Sequence, residues 1–404
     1  MRYTLSTLFL CSQLVGLSMS AGLARAASIK DIVVKSEKPI GKIDRLGNIM
    51  IGGLSGMVLD SYDDKSEIYH FLALTDRGIN SSPQDFSGNG KEARMLVFPK
   101  YSPLLVHLNY YQKTGKVEVM KFTQFLTPSG QPTTGLSNLV ADKSSKSGQE
   151  ALVGLDKAPL KGDPWGIDPE SISVDSSGFV WVGEEYGASI LKVARDGRIL
   201  SRFVPESSPS EVAGVRAIPA VFAEREPNRG FEALAIKGDK LFAFLQSPIK
   251  AKDGDRLVRV LEFDIKTEKT TAVYFYQLSQ KGVKIGDAAL SSDGKIILLE
   301  QLVDTGKKIS HQALYEVDFS SATNLLTHQT TEGTVKNAES KEIVQFGSEI
   351  TKNFEKLEGL SVLRDGSFCI LNDNDFNSDA LLDKLQGKPT ATLVKNHFFI
   401  VNPK

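Results

Sequence analysis

Glu170-Ser171-Ile172-Ser173-Val174, Glu232-Ala233-Leu234-Ala235-Ile236 and Glu358-Gly359-Leu360-Ser361-Val362 spell one pattern three times: acid, small, aliphatic, small, aliphatic. Asp287-Ala288-Ala289 begins a looser fourth copy, and Gly52-Gly53-Leu54-Ser55-Gly56 a copy without the acid. Self-similarity at intervals of several tens of residues marks an architecture of repeated units. Each copy runs into a reversing turn, namely Asp175-Ser176-Ser177-Gly178, Lys237-Gly238-Asp239, Ser292-Asp293-Gly294 and Arg364-Asp365-Gly366, chemistry suited to a strand reversal. A second apolar run follows and closes at Glu184, Gln246, Glu300 and Asn372. Those positions lie thirteen or fourteen residues after the opening acid with the turn midway. The two ends of each hairpin therefore sit side by side, and in the first copy Asp76 falls beside Gly52.

Further strand-like runs follow each hairpin: 104–110 and 117–123, 189–194 and 198–204, 257–264 and 271–277, 313–319 and 343–346, and finally 392–401. Helical periodicity is scarce, so the chain reads as all-β. Four strands per repeated unit is the pattern of a β-propeller. Five blades are counted, and the missing outer strand of the last is expected from 29–35, closing the ring. The Pro-, Gly-, Ser- and Lys-rich stretch 127–169 is a long insertion or hides a sixth blade.

Residues 1–26 read as a secretory leader: Arg2, an apolar stretch from Leu5 to about Met19, then Ala24-Arg25-Ala26. Cleavage is expected near Ala26, leaving one domain over 27–404 in the periplasm or outside the cell. No segment approaches the roughly 20 apolar residues that span a bilayer, which excludes membrane insertion. The 404 residues are 41% hydrophobic and 24% charged, a globular composition. With 48 basic against 49 acidic residues, no global field favours nucleic acid. Two cysteines and five scattered histidines (His70, His107, His311, His328, His397) exclude a disulfide scaffold and most His- or Cys-based metal centres. Chemistry must then rest on carboxylates. Cys369, between Phe368 and Ile370, reads as a buried inert thiol. The chain is expected to be a monomer.

In a propeller the first strand of every blade lines the axis. This places Glu170, Glu232, Asp287 and Glu358 around one mouth of the central channel, with Asp76, Glu184, Glu300, Asn372 and Asp373 at neighbouring strand ends. Two like charges ~4 Å apart at an effective dielectric of ~20 repel by about 4 kcal/mol, so such a ring calls for protons or a cation. Ca²⁺ suits six to eight irregular oxygen ligands, and Mg²⁺ is the alternative. The expected ligands are Asp76, Glu170, Glu232, Asp287, Glu358, Asn372 and Asp373. The run Asn372-Asp373-Asn374-Asp375-Phe376-Asn377-Ser378-Asp379 spaces oxygens like a calcium loop. Ser378 and Lys384 nevertheless stand where an EF-hand needs Gly and Glu, so it reads either as a loop contributing one or two ligands to the channel-mouth site or as a solvated Asx-turn loop. Arg77 and Arg229 fall on the same face, where a guanidinium fork suits phosphate or carboxylate.

These hairpins resemble the phytase-like family, "esterase-like activity of phytase", over about 52–401. The resemblance is carried by Gly53-Leu54-Ser55-Gly56, Leu74-Thr75-Asp76-Arg77-Gly78, Asp168-Pro169-Glu170-Ser171-Ile172, Gly183-Glu184-Glu185-Tyr186-Gly187, Arg229-Gly230-Phe231-Glu232-Ala233-Leu234, and Leu357-Glu358-Gly359-Leu360 with Asn372-Asp373-Asn374-Asp375. It implies a propeller-like fold and phosphoester hydrolysis. No G-x-S-x-G elbow occurs, since Ser55 and Ser361 lie in small-residue strand patterns, so a serine hydrolase of the α/β type is not expected. The expected activity is Ca²⁺-dependent hydrolysis of a small phosphorylated or other anionic substrate, with Glu184 or Glu185 orienting or deprotonating water and Arg77 and Arg229 holding phosphate. Two alternatives use the same carboxylates: a non-catalytic exported propeller with structural Ca²⁺ that serves as a binding platform, and a metal-dependent lactonase.

Overall fold

The computed structural model describes residues 28–43, 46–88, 90–138, 150–304, 309–328, 334–347, 350, 354, 356–390 and 392–403. The expected leader, 1–26, lies outside them. Each repeat quoted above is the first strand of an antiparallel hairpin: Leu54–Asp63 with Ile68–Thr75, Pro169–Val174 with Val180–Glu184, Phe231–Lys237 with Lys240–Leu245, Lys284–Leu290 with Ile296–Asp304, and Leu357–Val362 with Phe368–Asn372. The third and fourth strands are Leu104–Tyr111 and Lys116–Gln124, Ser189–Val193 and Ile199–Pro205, Leu257–Asp264 and Lys269–Gln277, and Ile309–Asp318 and Glu339–Gln345. His397–Asn402 and the N-terminal Ser28–Lys35 complete the fifth sheet, in register from Ser28↔Asn402 to Val33↔His397. Ser28–Lys35 then pairs in parallel with Lys116–Gln124 at Val34↔Val117, so the last and first sheets run together into eight strands.

The five first strands pack against one another in a cycle, each on the next and the fifth on the first, giving a propeller-like all-β arrangement. These inner strands have neighbours on both faces. They therefore bury long runs of residues, as in Phe231–Lys237 where only Lys237 is exposed, while Leu54–Asp63 becomes exposed toward its turn. Outer strands keep one wet face, as the alternating burial of Ser28–Lys35 shows. Small residues directly after the acids let the inner strands converge: a Cβ on Gly56 would stand 2.8 Å from the Glu170 carbonyl oxygen. Between the second and third sheets Trp181, Phe203 and Phe263 stack with centroids 4.9 to 6.3 Å apart, the kind of aromatic contact that adds to simple burial.

One feature differs from the expectation of four strands everywhere, and another bears on the two readings of 127–169. The second sheet carries a fifth strand, Val215–Ile218, parallel to Ile199–Pro205. Within 127–169 the described residues hold only Leu152–Val153, paired in parallel with Arg94–Met95 beside the mouth of the ring, and no further four-stranded sheet. Cys369 is buried and free. No helix among the described residues is long and apolar enough to cross a membrane.

Candidate metal and substrate site

The pairing of every inner hairpin slips by one residue near the start of its first strand, between Leu54 and Gly56, Pro169 and Ser171, Phe231 and Ala233, Ile285 and Asp287, and Glu358 and Leu360. Such a bulge re-aims side chains at a strand end. Just outside it one backbone hydrogen bond recurs: Asp76 N to Gly53 O, Glu185 N to Asp168 O, Gln246 N to Gly230 O and Asp373 N to Lys356 O, at 2.9 to 3.2 Å, while Lys284 pairs with Gln301. These contacts put the five sheets in register and define three rings. The first is Gly53, Asp168, Gly230, Lys284 and Lys356. Two residues on lies the second, Ser55, Glu170, Glu232, Gly286 and Glu358. The third, on the neighbouring strand, is Asp76, Glu185, Gln246, Gln301 and Asp373. Eleven of these fifteen residues line one cavity of about 740 Å³ at the mouth of the ring, and so do Arg77, Asn228 and Arg229.

Carboxylates converge in that cavity in two groups. One oxygen each from Asp168, Glu170 and Glu185 lies within 4.8 Å of the others, and the same holds for Asp76, Asp373 and Asp375. Burial first, then mutual repulsion, pushes most of them toward the protonated form. Asp76 is raised well above the carboxylate range by burial, Asp373 and Asp168, Glu170 by burial, Asp168 and Glu232, and Glu185 by burial, Glu232 and Asp168. Burial lifts Glu232 to about 7 and Asp373 to about 6. Buried oxygens without any hydrogen-bond partner include Glu232 Oε2 and Glu358 Oε2. Leaving a buried charged acceptor unpaired costs several kcal/mol unless it is protonated or meets a cation. The donor set is all oxygen, which fits a hard divalent cation.

The loop after Phe368–Asn372 is held in an unusual shape. Asp375, Phe376 and Asn377 all have positive φ (46°, 52° and 57°), a conformation disfavoured by about 1–2 kcal/mol per non-glycine residue. Packing holds it in place. The Phe376 ring is buried edge-on to Tyr101, with centroids 5.6 Å apart, and Asn374 and Asn377 both donate to the Val394 carbonyl at 3.0 Å. The result swings Asp375 back toward Asp373. Lys356 Nζ then lies 3.2 Å from Asp373 Oδ2 and 2.5 Å from Asp375 Oδ1. Both side chains are about half exposed, at 42% and 54%, and their pairing favours the charged forms, with Lys356 held up and Asp375 held down.

Several residues expected at the mouth sit elsewhere, each for the same geometric reason. Asp287 falls one residue later than the acid ring, because Gly286 occupies the position of Glu170 and Glu232. Alternation then turns it to the other side, where its oxygens accept from Ala288 N and Leu360 N, both at 2.7 Å. Glu184 and Asn372 each stand one residue before a cavity residue. Glu184 is fully buried, accepting from Tyr186 N, Gly187 N, Ser189 Oγ and Arg202 Nη2 at 2.7 to 3.1 Å. Asn372 accepts from His397 N and donates to the Lys395 carbonyl. Glu300 follows suit, bound to Tyr276 Oη at 2.7 Å and to Ser279. Arg77 reaches the cavity wall but is committed, 2.8 Å from Glu150, 3.4 Å from Asp168 and 3.0 Å from Asn228 Oδ1. Arg229 is freer, with 3.5 Å to Glu185.

Cavity residues given no role by sequence reasoning include Asp168, Lys284, Lys356, Gln246 and Gln301, while Asp375 fell within the 372–379 loop expected to supply one or two ligands. Asp168 and Lys356 could have been found by reading two residues back from Glu170 and Glu358, whereas the same step from Asp287 lands on Ile285 and misses Lys284. Lys284 makes no ion pair among the described residues.

Residues 49–376 match the model of a family described as "Phytase-like: Esterase-like activity of phytase". An "Uncharacterized secreted protein" of Arthroderma benhamiae is 29% identical over 188 residues, covering 38% of this chain and 36% of that one. The chain thus spans little more than a third of the length of this curated relative. Among solved structures, a luciferin-regenerating enzyme is 11% identical with a TM-score of 0.38 over 93% of this chain and 95% of that one. A putative oxidoreductase (glucose dehydrogenase) of Thermus thermophilus is 10% identical with a TM-score of 0.38 over 93% and 100%. A streptogramin B lyase is 11% identical with a TM-score of 0.32 over 93% and 98%. Likeness at this level bears on neither substrate nor mechanism.

Proposed function

The chain belongs to the phytase-like family, and from that premise we propose that it is an exported, monomeric, five-bladed propeller that hydrolyses a small phosphoester with the help of a divalent cation, Ca²⁺ before Mg²⁺. The observation that carries this reading is the convergence of buried carboxylates on one cavity that also holds Arg229 and Lys284, with Glu232 Oε2 and Glu358 Oε2 lacking hydrogen-bond partners. Export to the periplasm or beyond is supported by the leader-like 1–26 and by the secreted relative.

Bound in this cavity, the cation would neutralise phosphate oxygens and make water more acidic. Arg229 and Lys284 bind the remaining anionic oxygens and fix the ester's orientation. Glu185 stays on the cation side. Glu232, which lines the same cavity and whose Oε2 has no hydrogen-bond partner, accepts a proton from the attacking water as the new oxygen–phosphorus bond forms. It returns that proton to the alcohol oxygen as the ester bond breaks, so no net proton remains on the protein. Glu184, with its oxygens already occupied, takes no part.

The test is turnover of a phosphomonoester and phosphodiester panel by purified protein with added Ca²⁺. Glu232→Gln is expected to lower kcat at least about 100-fold, the low end for a general base, with little change in melting temperature. Turnover no higher than that of an Asp76→Ala plus Glu232→Ala protein would remove the hydrolase reading and leave the non-catalytic binding platform.

A further inference from the structure

The two carboxylate groups in the cavity are not equivalent. Asp76, Asp373 and Asp375 already have a cation from the chain itself: Lys356 Nζ sits 3.2 Å from Asp373 and 2.5 Å from Asp375. Asp373 Oδ1 further accepts from Asp375 N at 2.7 Å, and Asp76 Oδ1 from Gly78 N at 2.7 Å. This group is satisfied by the protein. In the other group Asp168 Oδ1 accepts from Arg77 N at 3.0 Å and its Oδ2 lies 3.4 Å from Arg77 Nε, whereas Glu170 has no such partner. Arg77, the nearest cation, divides its charge between Asp168 and Glu150. Arg229 only approaches Glu185, at 3.5 Å.

Glu170 supplies the independent sign of a missing ligand. Its side chain is more than nine-tenths buried at 8% exposure, one of its oxygens converges with Asp168 and Glu185, and no hydrogen bond reaches its carboxylate among the described residues. Glu232 Oε2 on the same wall also lacks a hydrogen-bond partner. Three carboxylates without a lysine on one side, and three with a lysine on the other, are what a site for one external cation and a built-in substitute for a second would look like.

We propose that the cavity binds a single divalent cation, held by Asp168, Glu170 and Glu185 of the second sheet, and that Lys356 occupies a second cation position at Asp76, Asp373 and Asp375. This deepens the functional reading, resting on its premise that a divalent cation enters the cavity, and fixes where that cation sits and why there is one. Removing the lysine should uncover the second position. A hard dication there would meet the same three carboxylates once the ammonium is gone.

The experiment is calcium titration calorimetry on chelator-stripped, desalted full-length protein, with Tb³⁺ luminescence as a second count. One Ca²⁺ per chain is expected for the native protein and two for Lys356→Gln. Lys356→Arg, which keeps the charge, should stay at one. Glu170→Gln should weaken binding by 10-fold or more, whereas Asp373→Asn should bind one Ca²⁺ within about threefold of native affinity. If Lys356→Gln fails to fold, the Glu170→Gln and Asp373→Asn pair still decides the location. Two ions in the native protein, or loss of binding in Asp373→Asn with retention in Glu170→Gln, overturns the assignment while leaving cation-dependent hydrolysis standing. No Ca²⁺ or Tb³⁺ bound at millimolar concentration overturns both.

Discussion

Arg202 Nη2 lies 3.1 Å from Glu184 Oε2, and neither side chain reaches solvent. The carboxylate next along the chain, Glu185, faces the cavity instead. Two consecutive glutamates thus divide the work of the second sheet, because successive side chains at a strand end point to opposite sides. One ties the strand to Ser189 and Arg202 on the following strands, and the other serves the site.

Glu184→Gln should therefore destabilise the fold and Glu185→Gln should not. An amide at 184 cannot accept at both ends. It would turn its NH₂ toward one set of donors, Tyr186 N and Asp168 N or Gly187 N, Ser189 Oγ and Arg202, and leave the arginine buried without a counter-charge. Breaking a pair of this kind costs about 3–5 kcal/mol. Urea denaturation would read that loss for Glu184→Gln and a change within about 1 kcal/mol for Glu185→Gln, which should instead lose Ca²⁺ affinity. Equal stability losses in the two variants would contradict the division.

Gly53→Ala should damage the site through its backbone. Gly53 has φ of +59°, and a Cβ there would stand 2.3 Å from the Phe376 ring and 2.8 Å from Asp76 Oδ1. The strain of a left-handed alanine is about 1–2 kcal/mol, and the clash adds to it by displacing the ring that holds Asp375 in place. Both a lower melting temperature and loosened packing around Tyr101 and Phe376 are expected, the latter visible as faster proteolysis or amide exchange over 373–379. A melting temperature within a degree of native would show that the loop accommodates the methyl.

How legible this was from sequence depends on the periodicity of each feature. The all-β hairpins and the acids Glu170, Glu232 and Glu358 follow from a local repeat, and the structure brings all three to one cavity. Asp287 misled because its copy is one residue shorter to Glu300. In a strand that one residue decides the face, and Gly286 takes the place of the acid. Glu184 and Asn372 misled by the same single step. The bulge that re-aims the acids has no signature in residue type, so the ring at Asp76, Glu185 and Asp373 could be placed near the mouth but not separated from its structural neighbours. Lys284 and Lys356 were hidden because they repeat the place of Asp168 with opposite charge, and a search for repeated acids passes over them. Asp375 depends on three left-handed residues in succession, which only the packing of Phe376 explains.

Acid should weaken the fold through His107. Its Nε2 is buried without a hydrogen-bond partner. Burial, with Lys121 across the strand pair and Arg195 nearby, lowers its pKa from 6.5 to about 4 against a smaller opposing pull from Asp60. The folded pKa lies below the unfolded one, so between about pH 6.5 and 4 the unfolded chain binds more protons and stability falls as pH falls. Above about pH 6.5 this contribution is constant. The cavity carboxylates, raised by burial, act in the opposite sense over the same range but equally in both proteins, so on going from pH 7.5 to 5.0 the urea midpoint of His107→Gln should gain on that of the native protein. Identical changes in the two proteins would remove His107 as an acid-sensitive group.

Calcium should stabilise the protein in proportion to its occupancy, because the carboxylates of Asp168, Glu170 and Glu185 are assembled only in the folded state. For one site that is absent from the unfolded chain, the gain is about 2.7 kcal/mol at a free ligand concentration 100 times Kd. Melting curves on chelator-treated protein should rise by several degrees on adding Ca²⁺. Mg²⁺ should give less, since it demands near-octahedral geometry and gives up water reluctantly, which three buried carboxylates on one strand pair do not offer. Glu170→Gln should flatten the calcium response without lowering the metal-free melting temperature, and by relieving like-charge repulsion it should raise it. A native protein whose melting temperature ignores millimolar Ca²⁺ would mean that these acids carry protons instead of a cation.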